Sequence, residues 1–231
     1  MEFHEFFELM DFSHDYADDI SIAKFKQLTI SQNELLTFIN ENKVSIVYKK
    51  RQEGVSSAIS AYLLWLLINN NNYTIGMITP NRHDREMFRQ FINMNLKKLE
   101  IIFKQKGIED FILTSEKHTI DYTSLPNGSE IFYWTRNQKN AMRGYKLNTI
   151  YISELSYNDD YIGIIDSIMP SLYGSDGKFI ITTTDLLDIK NDIFMNGEGV
   201  SEYWMDFFSG KRFVLFEKTK KRKTDIRGCI F

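Results

Sequence analysis

Apolar positions along this chain follow two alternating rhythms. Runs at 44–48, 73–79, 130–135, 149–152 and 178–183 are short, apolar and rich in β-branched and aromatic residues, which predicts strands. Between them lie stretches with helical spacing. Leu35, Leu36, Phe38 and Ile39 follow Ser31-Gln32-Asn33-Glu34, which reads as a capping box. Residues 56–69 are apolar nearly all round, which predicts a buried helix. Residues 83–105 set Met87, Phe91, Met94 and Leu99 among polar positions, which predicts a long amphipathic helix. A further helix is expected at 161–169 and a further strand at 111–113. Residues 69–72 and 125–129 read as turns. Residues 1–27 are acidic and mixed, consistent with one helix and a loop, and 197–216 has no clear pattern. The three prolines, at 80, 126 and 170, each fall at an expected boundary, so none is predicted to break a helix interior.

Strands that alternate with helices at these spacings predict βαβ crossovers and a mainly parallel sheet. Ligands of such sheets bind at the carboxyl ends of the strands. The loops after Tyr48, Ile152 and Ile181 should therefore share one face and bring Lys49, Glu154 and Thr182 together.

One of those loops has a distinctive composition. Residues 44–57 run from an apolar strand into a basic loop, Lys49-Lys-Arg-Gln-Glu, and then through Gly54, Val55, Ser56 and Ser57 into a helix. Backbone N–H groups around a glycine at a helix start can cradle phosphate oxygens. Lys49 and Arg51 can add positive charge, and the Ser56 hydroxyl can face Mg²⁺. The spelling departs from the usual phosphate loop, because the lysine has moved to the first-glycine position and Val55 stands where lysine is expected. Taken alone, the loop reads more readily as an ordinary strand-to-helix junction. Glu154, ending an apolar strand, can orient a water for in-line attack on a γ-phosphate or be a plain exposed carboxylate. Thr182, Thr183 and Thr184 can sense a phosphate or cap the next helix. Arg143, in a polar loop, can be an arginine finger or a solvated charge.

Composition limits the alternatives. The chain has 231 residues, 43% hydrophobic and 26% charged, so a sizeable globular core is expected. A net charge of −3 provides no global attraction to nucleic acid, so a DNA contact needs a local patch. The single cysteine, Cys229, excludes an internal disulfide framework and a cysteine-rich zinc site. The four histidines show no metal-ligand spacing. The acidic, aromatic start does not read as a signal peptide, and the longest apolar run, 61–68, is too short to span a bilayer, so no membrane association is expected.

In this order and spacing the pieces resemble the ATPase domain of large terminase subunits, the motors that package DNA into viral capsids. The resemblance covers roughly residues 25–206, with an acidic segment at 1–24 and a short basic tail at 207–231. It implies a three-layer α/β fold of the P-loop NTPase (ASCE) type with a mainly parallel central sheet. It implies ATP and Mg²⁺ at the site. By the match, Lys49 is the displaced phosphate-loop lysine and Arg51 a loop arginine acting in cis. Gln52, Gly54, Val55 and Ser57 complete the nucleotide loop, and Ser56 is its Mg²⁺-side hydroxyl. Gln32 is the adenine-reading glutamine, and Glu154 is the catalytic carboxylate. Residues 182–184 are the coupling motif, and Arg143 reaches a neighbouring subunit's nucleotide. Pro126-Asn-Gly-Ser129 resembles the family's "NGS" turn.

Two departures qualify the match. Ser153 stands where an acid usually holds the metal's water, which predicts weaker Mg²⁺ affinity and slow turnover. Family members continue into a nuclease domain, for which 207–231 is too short, so this chain is not expected to cut DNA. The leading reading is the ATP-hydrolysing motor of viral DNA packaging, in a split or truncated form that works with a separate nuclease chain. The alternative is a degenerate, non-hydrolysing interaction module. A helicase-like ATPase is a third reading, disfavoured because a second ATPase core is missing. The motor reading implies double-stranded DNA, a portal protein, a small terminase subunit and a homo-oligomeric ring as partners. It also implies location in the host cytoplasm, at the procapsid during virion assembly.

Overall fold

A computed structural model describes residues 3–10, 28–49, 54–106, 117–118, 121–138, 142–155, 161–172, 177–184, 214–217 and 223–225. Its helices are α1 (Phe3–Glu8), α2 (Ile30–Glu41), α3 (Val55–Asn69), α4 (Arg82–Gln105) and α5 (Tyr161–Leu172). Its strands are β1 (Val44–Tyr48), β2 (Thr74–Thr79), β3 (Lys117–His118), β4 (Tyr122–Ser124), β5 (Glu130–Thr135), β6 (Thr149–Ile152), β7 (Lys178–Thr183), β8 (Val214–Glu217) and β9 (Lys223–Asp225). They form one sheet in the order β3-β4-β5-β2-β6-β7-β1-β8-β9. The stretch from β5 to β8 is parallel throughout, and β3, β4 and β9 add antiparallel edges.

The two-residue period of the strands sorts their side chains into two cores. Val47, Met77, Tyr133, Tyr151 and Ile180 face one side, in a buried cluster with residues of α1 to α4. Ile46, Ile78, Ile150, Ile152, Phe179 and Ile181 face the other, with Ile164, Ile165, Ile168 and Leu172 of α5. The result is the expected three-layer α/β fold with a mainly parallel sheet. Helix α3 touches α1, α2 and α4 as well as β2, which is why its sequence is apolar all round. Each leucine it buries completely, such as Leu63 or Leu64, contributes about 1.5–3 kcal/mol.

The Asn-Gly-Ser turn has a physical role. The Asn127 side-chain amide donates to the carbonyls of Leu67 (2.7 Å) and Asn70 (2.9 Å) at the end of α3. The Ser129 hydroxyl donates to Asn70 O at 2.7 Å. Gly128 has φ +79°, and a Cβ there would meet Asn72 Oδ1. The turn satisfies the carbonyls that a helix end leaves open. Asn127→Ala is expected to destabilise the fold by about 2 kcal/mol, read as a lower urea midpoint with an unchanged m-value.

Two sequence expectations need correction. The capping box is Thr29 with Gln32, not Ser31 with Glu34. Thr29 Oγ1 accepts from Gln32 N (3.3 Å) and Gln32 Oε1 accepts from Thr29 N (2.9 Å), so α2 begins one residue before Ser31. Pro170 lies inside α5. It is two residues from the helix end, where only one intrahelical bond is forfeited. Phe6 and Phe7 of α1 and the following Met10 are buried in the α3-side core. Beyond 206, β8 pairs with β1 and β9 with β8. Val214-Leu-Phe-Glu217 supplies an apolar strand to an edge of β1 that would otherwise be open. The strand expected at 111–113 lies outside the described residues.

Candidate active site

The parallel register decides what meets at the carboxyl edge of the sheet. β7 pairs with both β1 and β6, so the residues following these strands are neighbours. Backbone pairing runs one residue past β1, where Lys49 N donates to Thr183 O at 3.0 Å. The Lys49 ammonium forms an ion pair with Glu154 Oε1. Both side chains are largely buried, at 9% and 16% exposure, so water screens the pair little. Glu154 has φ +54°, a left-handed conformation that is uncommon for a residue with a side chain. Its N–H donates to Thr182 Oγ1 at 3.2 Å, which holds this turn. Glu154 Oε2 is buried and has no hydrogen-bond partner among the described residues. A buried carboxylate oxygen without a partner carries a desolvation cost unless a ligand or water meets it.

Gly54 opens α3 at φ +68° and, having no side chain, offers no cap of its own to that end. A Cβ at Gly54 would collide with Gln32 Nε2, so the Gln32 amide lies directly against the loop. Gln32 is held there from two directions. Its Oε1 is committed to the cap at Thr29. The far end of α2 is tied to β7 by Lys178, whose ammonium donates to the carbonyls of Ile39 (3.1 Å), Asn40 (2.8 Å) and Asn42 (3.2 Å). Burial, with Lys43 nearby, pulls the Lys178 pKa down to about 8. Val55 is buried in the α3-side core. Ser56 and Ser57 are partly buried in the first turn of α3.

The sequence reading missed Tyr151. Its ring is fully buried and meets Phe88 edge-on at 5.7 Å. Its hydroxyl lies 3.3 Å from Thr182 Oγ1, and the Ser153 and Ser56 hydroxyls are close enough to lower its pKa. Burial pushes its pKa up to about 12 against the lowering effect of these three hydroxyls, with the Glu154 charge adding to the rise. The signal was present in the sequence. A tyrosine interrupts an aliphatic strand two residues before Ser153, which places both on one face.

The site therefore brings together Lys49, Ser56, Ser153, Glu154, Thr182 and Thr183, with Gln32 against Gly54. Thr184 follows β7 at the same edge and is partly buried. Arg51 and Gln52 lie outside the described residues. Arg143 is exposed beside Tyr145, Lys146, Ser167, Pro170 and Ser171 around a surface cavity of about 410 Å³. This is the α5 side of the sheet, opposite the layer that holds Ser56, so one chain does not bring Arg143 to the Lys49–Glu154 pair. The residues that could face a metal are the hydroxyls of Ser56 and Ser153 and the unpartnered Glu154 Oε2. This set contains only oxygen and fits a hard cation that keeps waters and phosphate oxygens as its other ligands.

No family model and no curated protein matches the chain by sequence. Solved structures do match its fold. An ATPase-domain variant of the large terminase of Thermus phage P74-26 superposes with a TM-score of 0.58 at 16% identity, over 79% of this chain and 69% of that one. The large terminase of bacteriophage HK97 superposes with a TM-score of 0.53 at 18% identity, over 78% of this chain. That match spans 39% of the HK97 protein. The chain shares the fold of these large-terminase ATPase domains.

Proposed function

We propose that this chain hydrolyses ATP as the motor domain of a large terminase subunit and drives viral DNA into a procapsid. The observation that carries the reading is the Lys49–Glu154 ion pair, with the Glu154 N–H on Thr182. A phosphate-seeking ammonium, a carboxylate able to orient water and a hydroxyl that reports their position come from three different strands.

In this reading the γ-phosphate competes with Glu154 for the Lys49 ammonium. Once Lys49 turns to phosphate, Glu154 Oε1 is released to hold the attacking water in line. N–H groups at the start of α3 and the Gly54 turn receive the other phosphate oxygens. The Gln32 amide lies beside the loop, where it can read the adenine edge. Ser56 and Ser153 would hold Mg²⁺, partly through water, and the ion would neutralise charge on the phosphates. Thr182, bonded to the Glu154 backbone, passes the state of the site to β7 and to the residues that follow it.

Arg143 would act on the nucleotide of a neighbouring copy, so the working unit is a homo-oligomeric ring around double-stranded DNA. The portal protein, the small terminase subunit, a separate nuclease chain and the procapsid in the host cytoplasm complete the proposed setting. The test is ATP turnover with Mg²⁺ as a function of protein concentration. Specific activity is expected to rise with concentration in the wild type. Arg143→Ala is expected to stay flat and to recover when mixed with chains carrying an intact Arg143 but no Glu154 carboxylate. Absence of both nucleotide binding and turnover would instead identify a non-hydrolysing interaction module.

A further inference from the structure

We infer that Tyr151 is a positioning residue of the nucleotide site, its phenol setting the direction of the Ser56, Ser153 and Thr182 hydroxyls. The inference rests on the proposed ATP site and extends it to a residue on the strand interior.

The argument is an inventory of protons. A hydroxyl can offer an oxygen lone pair to a cation or its water only if its own proton points elsewhere. In a buried site that proton needs an acceptor, or the group is left unsatisfied at a cost. The Tyr151 oxygen accepts two hydrogen bonds and donates one. Thr182 Oγ1, at 3.3 Å, fills one of these places, and the neighbouring Ser153 and Ser56 hydroxyls are the two groups available for the others. If Ser56 and Ser153 donate to Tyr151, the lone pairs of both face the phosphate side. Tyr151 then donates to Thr182 Oγ1, which also accepts from the Glu154 N–H. One network thus joins the first turn of α3 to the ends of β6 and β7 and to the backbone of the carboxylate residue.

A further fact fits this role. The ring is fully buried and wedged against Phe88, so the hydroxyl has little freedom to turn away. The network also bears on Ser153. A neutral oxygen that replaces an acid is a weaker partner for a hydrated cation, and fixing its orientation offsets part of that loss.

The test uses Mg²⁺-dependent nucleotide binding, which does not require turnover. A fluorescent ATP analogue is titrated with and without Mg²⁺, for wild type, Tyr151→Phe and Thr182→Val, with Tyr62→Phe as control. Tyr62 is equally buried on α3, but its hydroxyl bonds Asn40 at 3.2 Å, away from the site. Tyr151→Phe and Thr182→Val are each expected to raise the Mg²⁺ concentration for half-maximal binding about tenfold, the worth of one hydrogen bond. For Tyr151→Phe, affinity without Mg²⁺ is expected to change less than about twofold. Tyr62→Phe is expected to lower the melting temperature and leave the Mg²⁺ curve in place. A wild-type Mg²⁺ curve in a folded Tyr151→Phe protein overturns the inference and leaves the ATP site standing. If Tyr151→Phe fails to fold, an unshifted Thr182→Val curve overturns it equally. A wild-type chain that binds no nucleotide removes the ATP site and this inference together.

Discussion

Glu154→Gln is expected to bind ATP with near wild-type affinity and to hydrolyse it about 10²–10⁴-fold more slowly, the usual share of a positioned acid or base. The amide is nearly the same size as the carboxylate and can occupy the same pocket. It can no longer accept a proton from water or attract it with a full charge. Glutamine also cannot form a charged pair with Lys49, so the ammonium should be freer to engage phosphate, and binding should hold or tighten. Single-turnover kinetics beside equilibrium binding separates the two effects. Near-normal hydrolysis by this variant would falsify the assignment of Glu154.

Lys49→Met should fail differently. The methionine keeps an apolar chain of similar length but removes the ammonium that the site would offer to phosphate. Nucleotide affinity is expected to fall at least about 30-fold, the low end for truncating one member of a buried charge pair. The fold should also suffer, because Glu154 would keep a charge in a largely buried position with its counter-ion gone. That cost is about 3 kcal/mol. Adding Glu154→Gln should recover most of this stability while restoring neither tight binding nor turnover. Denaturation of the two single variants and the double variant yields the coupling energy directly. A double variant no more stable than Lys49→Met would mean that the ion pair contributes nothing to the fold.

The strand-to-helix alternation was enough to place Lys49, Glu154 and Thr182 at one edge, because parallel topology fixes where strand ends meet. Their contacts in the structure agree with that expectation. The features that escaped depend on a third dimension that periodicity does not carry. Tyr151 read as one more strand residue, and only the pairing of β6 with β7 sets its hydroxyl beside Thr182. The capping box was displaced by two residues, because Thr29-x-x-Gln32 and Ser31-x-x-Glu34 fit the same pattern and the chain offers both. The strand at 214–217 was obscured by a short apolar run beside basic residues, and its pairing depends on the distant β1. Arg143 was legible as a residue but not as a place, since its loop crosses to the α5 side.

The placement of β1 also has a consequence for how the molecule is made. Both neighbours of this strand, β7 and β8, come from late in the chain, although β1 itself starts at Val44. Contacts of such long separation form slowly, because the intervening loop must close before any pairing offsets its entropy. As the chain leaves the ribosome, the strand that carries Lys49 waits without a partner until residues beyond 178 emerge. Nucleotide binding should therefore be among the last properties this protein acquires during synthesis.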